Sequence, residues 1–384
     1  MIYGIYDTKD IRKEYNKLKS PKEYDLIDLD QLFTNDYSLY MSTRQDGKTT
    51  DALLKGIILN KLYGVKMVYL RNDTTQITLS NVSSLFDTVK IYGYIEKLFD
   101  GLYNDIIYVN RERNFYFVHK DENGEIDSKA VEPFCFAASN ENWQRYKSTK
   151  NLPTAWYILW DEFLDTERFA SPLVSEAFNN ISTFTRTNEN AHVVGISNTI
   201  NPYSVVFEDL CISEDVCFMD FGDEKNIITP LGTTLYIKLL SLSKKKKIDL
   251  KEKTVRFFGF NNKKFANFTG LQAWQGREYR HLHETPIHQE IIYHIKHRDK
   301  YIAVNLVEIE DKLPIFLLTK CSYIPDNRGI ILTEKPELVN EMRLNAYDFS
   351  PLIDAVRENR ICVTTNQIGL LFDDFLSCFG YKMS

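Results

Sequence analysis

Cysteine is scarce in this chain of 384 residues: there are six, with no C-x-x-C pair among them, which excludes a zinc ribbon and a disulfide framework. They are expected to be reduced and mostly buried. Long apolar runs are missing too. No stretch approaches the roughly 18 residues of a membrane span, and the opening MIYGIYDTKDIRKEYNK has no apolar core of signal-peptide length. A cytosolic protein without membrane contact is expected. An excess of positive charge is also absent: the net charge of −6 excludes binding DNA through the whole surface. It leaves room for a local basic track in a ring or cleft. Internal repeats are not evident. What is present is an ordinary globular composition, 43% hydrophobic, 26% charged and 13% aromatic, without the bias of a disordered chain. The length suits two domains, because single cores seldom grow past roughly 250 to 300 residues.

The stretch YSLYM (37–41) is short and apolar, as a buried strand should be. After Gly47-Lys48, apolar residues recur at Ala52, Leu53, Leu54, Ile57, Ile58 and Leu62, which is helical spacing, and Gly64 is placed to end that helix. A second strand, VKMVYLR, follows and ends at Arg71. Further on, IIYVNRERNFYFVHKDENGEI predicts an antiparallel hairpin with Asn-Gly turn chemistry. AWYILWDEFLD (155–165) and AHVVGISN (191–198) are continuous apolar runs, the pattern of strands buried on both faces in a parallel sheet. Residues 1–240 therefore read as a doubly wound α/β domain. Composition shifts near residue 241, and 241–285 reads as an irregular linker region. Residues 286–384 read as a small α+β domain, with KYIAVNLVEIEDKLPIFLLTK as a hairpin and AYDFSPLIDAVREN as a helix.

The segment STRQDGKTTDALL (42–54) raises the question of chemistry. A nucleoside triphosphate needs inward-pointing backbone N–H groups, a cation at its outer phosphates and a hydroxyl for Mg²⁺. Gly47 permits close backbone approach, Lys48 supplies the cation, and Thr49 supplies a metal ligand. Thr49 and Thr50 open the helix, whose positive end faces the phosphates. The tripeptide alone is a weak signal and can arise by coincidence; its place between a strand and a helix strengthens it. Hydrolysis also needs carboxylates at the end of a rigid strand. In YILWDE, Asp161 can serve Mg²⁺ through its water shell and Glu162 the attacking water, although adjacent acids are also common at solvated strand ends.

Four blocks in this order, the loop at 42–50, YLRN (69–72), ILWDEF (158–163), and ISN followed by NPY (196–203), resemble the DNA-packaging (encapsidation) ATPases of the small protein-primed tailed phages. These are picovirus-type relatives of the terminase large subunit. The resemblance covers the first 215 residues or so well and the rest in outline. It implies a P-loop NTPase fold of the ASCE type, a parallel sheet with helices on both faces, followed by a small α+β RNase H-like domain that is a vestigial nuclease. It makes Ser42 a tolerated variant at the loop's first position and assigns Thr43, Arg44, Gln45 and Asp46 to the nucleotide loop. Arg44 would contact nucleotide within the subunit, and Asn198 would sense the γ-phosphate. Arg186 falls at the arginine-finger position and Lys147 at a second basic position, both acting on a neighbour's nucleotide. By themselves these two residues read equally as solvated surface charges.

The implied activity is Mg²⁺-dependent ATP hydrolysis by a homo-oligomeric ring that drives double-stranded DNA through the portal of a preformed capsid. The implied location is the host cytoplasm, transiently at the procapsid portal and outside the mature virion. The chain is expected to be a monomer in dilute solution, and a structural RNA is a further candidate partner. One departure concerns DNA: after YLRN the chain continues DTTQIT, nearly uncharged, which leaves Arg71 and lysines elsewhere as candidates to touch DNA, while Lys244 to Lys247 read as a solvated charge run or as an approach to DNA or a structural RNA. Nuclease activity is expected to be absent. The strand IAVNLV carries Asn305 and no acid, while Glu308, Glu310, Asp311, Asp373 and Asp374 are equally explained as solvated turns. Five of the seven histidines, His281, His283, His288, His294 and His297, fall in 281–297. That stretch has no cysteine to complete a zinc site. A P-loop helicase and a nucleotide-binding scaffold that does not hydrolyse are the alternative functions.

Overall fold

The computed structural model describes residues 6–18, 26–42, 47–142, 156–164, 171–185, 190–198, 204–217, 219, 222–240, 279–282, 285–298, 300–310, 313–321, 329–345, 349–381 and 383. Thr43, Arg44, Gln45, Asp46, Lys147 and Arg186 lie outside the described residues, as do Lys244 to Lys247 and nearly all of 241–285. The chain divides into two compact units, Met1–Gln275 and Gly276–Ser384. No helix among the described residues is long and apolar enough to cross a membrane.

In the first unit, helices α1 (Thr8–Lys17) and α2 (Leu29–Thr34) precede β1 (Tyr37–Met41), and α3 (Lys48–Tyr63) leads to β2 (Met67–Arg71). Short helical turns occupy much of 74–98. The antiparallel strands β3 (Asp105–Val109), β4 (Asn114–Lys120) and β5 (Ile126–Lys129) then lead to β6 (Cys135–Ser139). β7 (Tyr157–Asp161), α4 (Ser171–Thr185) and β8 (His192–Ser197) follow, then two short helices and the antiparallel pair β9 (Glu224–Ile228) and β10 (Thr234–Leu239). The sheet order is β3-β4-β6-β2-β7-β8-β1-β10-β9, with β5 on β4. From β6 to β10 the neighbours are parallel.

Period-two alternation sorts side chains to opposite faces of this sheet. Tyr40, Tyr69 and Leu159 join α1 and α3 in one core. Their neighbours Leu39, Val68, Leu70, Ile158 and Trp160 meet Ala177, Ile181 and Phe184 of α4 on the other. Helices therefore cover both faces, and the near-continuous apolar strands are explained. Gly56 lets α3 lie close on the sheet: a Cβ there would come within 2.5 Å of Met67 Sδ and 3.3 Å of the Tyr157 ring. Gly64, with φ of 67°, ends α3 in the left-handed conformation, its N–H donating to Asn60 O.

The second unit is a sheet ordered β15-β14-β11-β12-β13-β16. β11 (His288–His297), β12 (Lys300–Glu308) and β13 (Ile315–Cys321) form an antiparallel meander. β14 (Ile331–Leu332) runs parallel to β11, β15 (Glu341–Met342) parallel to β14, and β16 (Ile361–Val363) parallel to β13. Helices α5 (Ser350–Arg357) and α6 (Asn366–Ser377) complete it. The expected hairpin is β12–β13, and the expected helix is α5.

Cysteines are more exposed than expected. Cys135 and Cys362 are buried and Cys321 is half-buried, but Cys211 and Cys378 are exposed, because both follow the end of a helix where the chain turns back to solvent.

Candidate nucleotide site

Strand register brings the site together. Leu70 pairs with Trp160, Asp161 with Ile196, and Met41 with Ser197. The carboxyl ends of β1, β2, β7 and β8 therefore lie at one edge of the sheet, the edge where open α/β sheets bind ligands. Of the residues expected from the sequence, Ser42, Gly47, Lys48, Thr49, Thr50, Asp161, Glu162 and Asn198 all stand at this edge or at the adjoining start of α3.

Gly47 precedes α3 with φ of 86°, a left-handed conformation that a side chain would oppose. Its carbonyl accepts the Asp51 N–H at 2.9 Å, the first turn of the helix. The Lys48 side chain runs back toward the sheet and is 5% exposed. Its Nζ donates to Ser42 Oγ at 2.5 Å and to Asn198 Oδ1 at 3.2 Å. Ser42 is itself buried, and its N–H donates to Ser197 O at 3.2 Å. Thr49 and Thr50 are half-buried at the open end of the helix.

The carboxylates are held by Arg71. Its Nη1 donates to Asp161 Oδ2 at 2.8 Å, its Nη2 to Glu162 Oε2 at 2.7 Å, and its Nε to Gln76 Oε1 at 2.9 Å. Asp161 also accepts from the Tyr69 hydroxyl at 2.8 Å. Burial opposes the charge on Arg71, but Tyr69, Asp161 and Glu162 together hold its pKa above the ordinary guanidinium value. Burial, then the Asp161 charge, pushes the Tyr69 hydroxyl well up. Arg71, one of the candidates for touching DNA, has its guanidinium hydrogen-bonded to the two acids, because it ends the strand beside β7.

Glu162 adopts φ of 53°, a left-handed conformation rare outside glycine. A chain of amides holds this turn. Asn72 Nδ2 donates to Glu162 O at 2.9 Å, while Asn72 Oδ1 accepts from Trp160 Nε1 at 2.8 Å and Asn140 Nδ2 at 2.9 Å. Asn180 of α4 donates in turn to Asn140 Oδ1 at 3.1 Å. Sequence reasoning passed over Tyr69, Asn72, Asn140 and Asn180. The block YLRN contained the first two, and no spacing or composition marks the others.

On the far side of α3, Asp51 and Lys55 form an ion pair at 3.0 Å with both side chains fully buried. Asp51 also accepts from Tyr15 Oη at 2.7 Å, Leu26 N at 2.9 Å and Ile27 N at 2.7 Å, and Lys55 Nζ donates to Ile27 O. Burial pushes the Asp51 carboxyl up, and the Lys55 ammonium, the Ile27 N–H and the Tyr15 hydroxyl oppose it. The N-terminal helix and residues 26–27 are thereby fastened to the first turns of the helix that begins at Lys48.

In the arrangement as a whole, the N-terminus of α3 with the buried Lys48 ammonium and two half-buried threonines adjoins the sheet edge that carries a pair of acids. The donor set suits a triphosphate with a hard divalent cation.

No family model matches the chain, and no curated relative does. Among solved structures it is similar to the phi-28 gp11 DNA-packaging motor, with 15% identity over 91% of this chain and 96% of that one and a TM-score of 0.45. To the N-terminal domain of the DNA-packaging ATPase from bacteriophage phi29 the identity is 18%, over 57% of this chain and 99% of that one, with a TM-score of 0.42. To a chain of the bacteriophage phi-29 viral genome packaging motor assembly the identity is 15%, over 92% of this chain and 99% of that one, with a TM-score of 0.51. At that identity the likeness is one of fold, and it extends over both units: this chain shares its fold with the phi-29 packaging-motor chain.

Proposed function

We propose that this protein is an ATP-hydrolysing motor that drives double-stranded viral DNA into a preformed capsid as a ring at the portal. The observation that carries the reading is the convergence of Lys48, Asp161, Glu162 and Asn198 at the ends of three neighbouring strands, within a fold shared with a packaging motor. β8 lies between the loop strand β1 and the acid-bearing strand β7, the strand order of ASCE NTPases.

Lys48 and the N–H groups at the start of α3 would hold the outer phosphates, and Thr49 with Asp161 would hold Mg²⁺. When bound, Mg²⁺-ATP supplies the phosphoryl bond whose hydrolysis drives movement. Glu162 orients water and takes its proton, Asn198 senses the outer phosphate, and Arg44 contacts nucleotide from within the subunit. Arg186 and Lys147 act on a neighbouring subunit's nucleotide, so hydrolysis depends on ring assembly.

The second unit serves as a docking module for DNA, RNA or portal, without cutting activity. Its order β13-β12-β11-β14-β15, an antiparallel meander followed by two parallel strands, is that of RNase H-like sheets. Yet Asn305 occupies the middle of β12, its amide donating to Leu317 O at 3.0 Å and Thr319 Oγ1 at 3.1 Å.

The test is steady-state ATP hydrolysis against protein concentration, with and without duplex DNA. Turnover should rise steeply with concentration, vanish in Glu162→Gln, and fall when Arg186→Ala protein is mixed into wild type. Turnover linear in protein and indifferent to the arginine would overturn the ring reading. Metal-dependent plasmid cleavage that an acid substitution in the second unit abolishes would overturn the non-nuclease reading.

A further inference from the structure

The second unit holds a group of side chains that the proposed motor chemistry does not use. His297 ends β11, Glu334 follows β14, and Asp374 and Cys378 belong to α6 and the turn after it. One nitrogen of the His297 ring, Nδ1, faces Glu334 Oε1; the other, Nε2, lies 2.6 Å from Asp374 Oδ2. Donor atoms of His297, Glu334 and Cys378 all lie within 4.8 Å of one another. The His297 side chain is 2% exposed, and Phe375 packs edge-on against its ring at 5.7 Å. The cysteine that residues 281–297 lack is thus supplied by the turn after α6, from a part of the chain too distant for any spacing rule to connect.

We infer that His297 Nδ1, a Glu334 oxygen and Cys378 Sγ form a binding site for one zinc-class transition metal ion. The mixed nitrogen, oxygen and sulfur set points to zinc or cobalt, because a thiolate does not suit Mg²⁺ or Ca²⁺. A tetrahedral zinc with bonds of about 2.0 to 2.3 Å spaces its donors about 3.5 Å apart, a small side-chain adjustment from the separations here. Asp374 is the supporting residue. Metal-bound histidines almost always give their second ring N–H to a carboxylate, a backbone carbonyl or water, which fixes the tautomer, and Nε2–H facing Asp374 is the carboxylate form of that arrangement. Arg298 Nε donates to the same Asp374 oxygen at 2.8 Å, holding the carboxylate in place. Coordination releases the Cys378 thiol proton to solvent and ties together three elements distant in sequence: the end of β11, the loop after β14 and the C-terminal helix. Three protein donors leave a fourth position for water.

The test loads full-length, chelator-treated protein with zinc(II) or cobalt(II) ions and counts bound metal after desalting. One equivalent of zinc is expected, with a sulfur-to-cobalt charge-transfer band in the cobalt form and a raised Tm for the zinc form. Cys378→Ser should lose the band, whereas Cys211→Ser and Cys321→Ser should keep it. Asp374→Asn keeps all three donors, so it tests the site even if the cysteine variant folds poorly; it should weaken zinc binding about 10- to 100-fold. Absence of bound zinc, a band that follows Cys211 or Cys321, or zinc affinity unchanged in Asp374→Asn would overturn the proposal. So would a His297 ring that nitrogen NMR finds protonated on both nitrogens in the presence of zinc, since that is an imidazolium clasped by two carboxylates.

Discussion

Replacing Arg71 with alanine removes a guanidinium that spans two adjacent acids. The Asp161 side chain is 10% exposed and would keep, among the described residues, only the Tyr69 hydroxyl; the Glu162 side chain is 36% exposed and would be partly rehydrated. A hydrogen bond to a charged group contributes about 1.5 to 3 kcal/mol, so the Asp161 arm falls toward the upper end, and the more open Glu162 arm adds about 0.5 to 1 kcal/mol. The expected loss is about 3 kcal/mol, within the range for breaking a buried pair by deleting one partner. Arg71→Lys replaces one arm of the fork and should lose about half as much.

Amide hydrogen exchange along β7, in the regime where exchange reports the opening equilibrium, is the suitable assay, because it reads the first unit alone. A loss of 3 kcal/mol accelerates exchange of the slowest amides by about 150-fold. The coupling between Arg71→Ala and Asp161→Asn should be about 2 kcal/mol in a double-mutant cycle. Acceleration of less than about threefold, or additive single variants, would refute the view that Arg71 is a fixed part of the site.

Two other predictions concern buried charge. Lys55→Met strands the Asp51 carboxylate and should cost the first unit about 3 to 5 kcal/mol, whereas the double variant with Asp51→Asn should recover part of that loss; Tm and urea midpoints decide. In the second unit, the N–H groups of Glu337 and Leu338 and the Lys296 ammonium hold Glu341 below the usual carboxylate range, against its burial. A carboxyl depressed in the folded state stabilises above its unfolded pKa of about 4.3 and loses that contribution as pH falls through the lower folded value. The second unit should therefore weaken below about pH 4 by roughly 1 to 2 kcal/mol, and Glu341→Gln should flatten the profile.

Legibility in the sequence followed the range of the interaction. YSLYM, YILWD and HVVGIS are buried on both faces, so their apolar runs announced β1, β7 and β8, and the 3.6-residue spacing after Lys48 announced α3. CFAAS did not announce β6: it is fully buried but short and rich in small residues, and its place beside β2 is fixed by pairing alone. Side chains at strand ends were legible where local chemistry marks them, as with Lys48 and Asp161. Asn72, Asn140 and Asn180 act through amide hydrogen bonds across three elements, and an asparagine at the end of an element is ordinarily read as a cap or turn. From the sequence, Asp374 is explained equally well as a nuclease carboxylate and as a solvated turn residue. It lies instead on α6 against His297 and Arg298, a contact that exists only once β11 and the C-terminal helix are packed.

The serine at the first position of the loop has a physical reading of its own. A glycine at position 42 could offer the loop only its backbone, whereas the Ser42 hydroxyl accepts from the Lys48 ammonium. Ser42 N–H is bound to Ser197 O, and the next residue, Asn198, is the other acceptor described for Lys48. The cation is thus suspended between the ends of two adjacent parallel strands, and its position depends on the pairing of Met41 with Ser197. A slip of one residue in that pairing would send Ser42 and Asn198 to opposite faces, while a shift of the end of β8 would be felt first at the lysine. On the proposed reading, the Lys48 ammonium touches the end of the strand next to the carboxylates directly, through its hydrogen bond to Asn198.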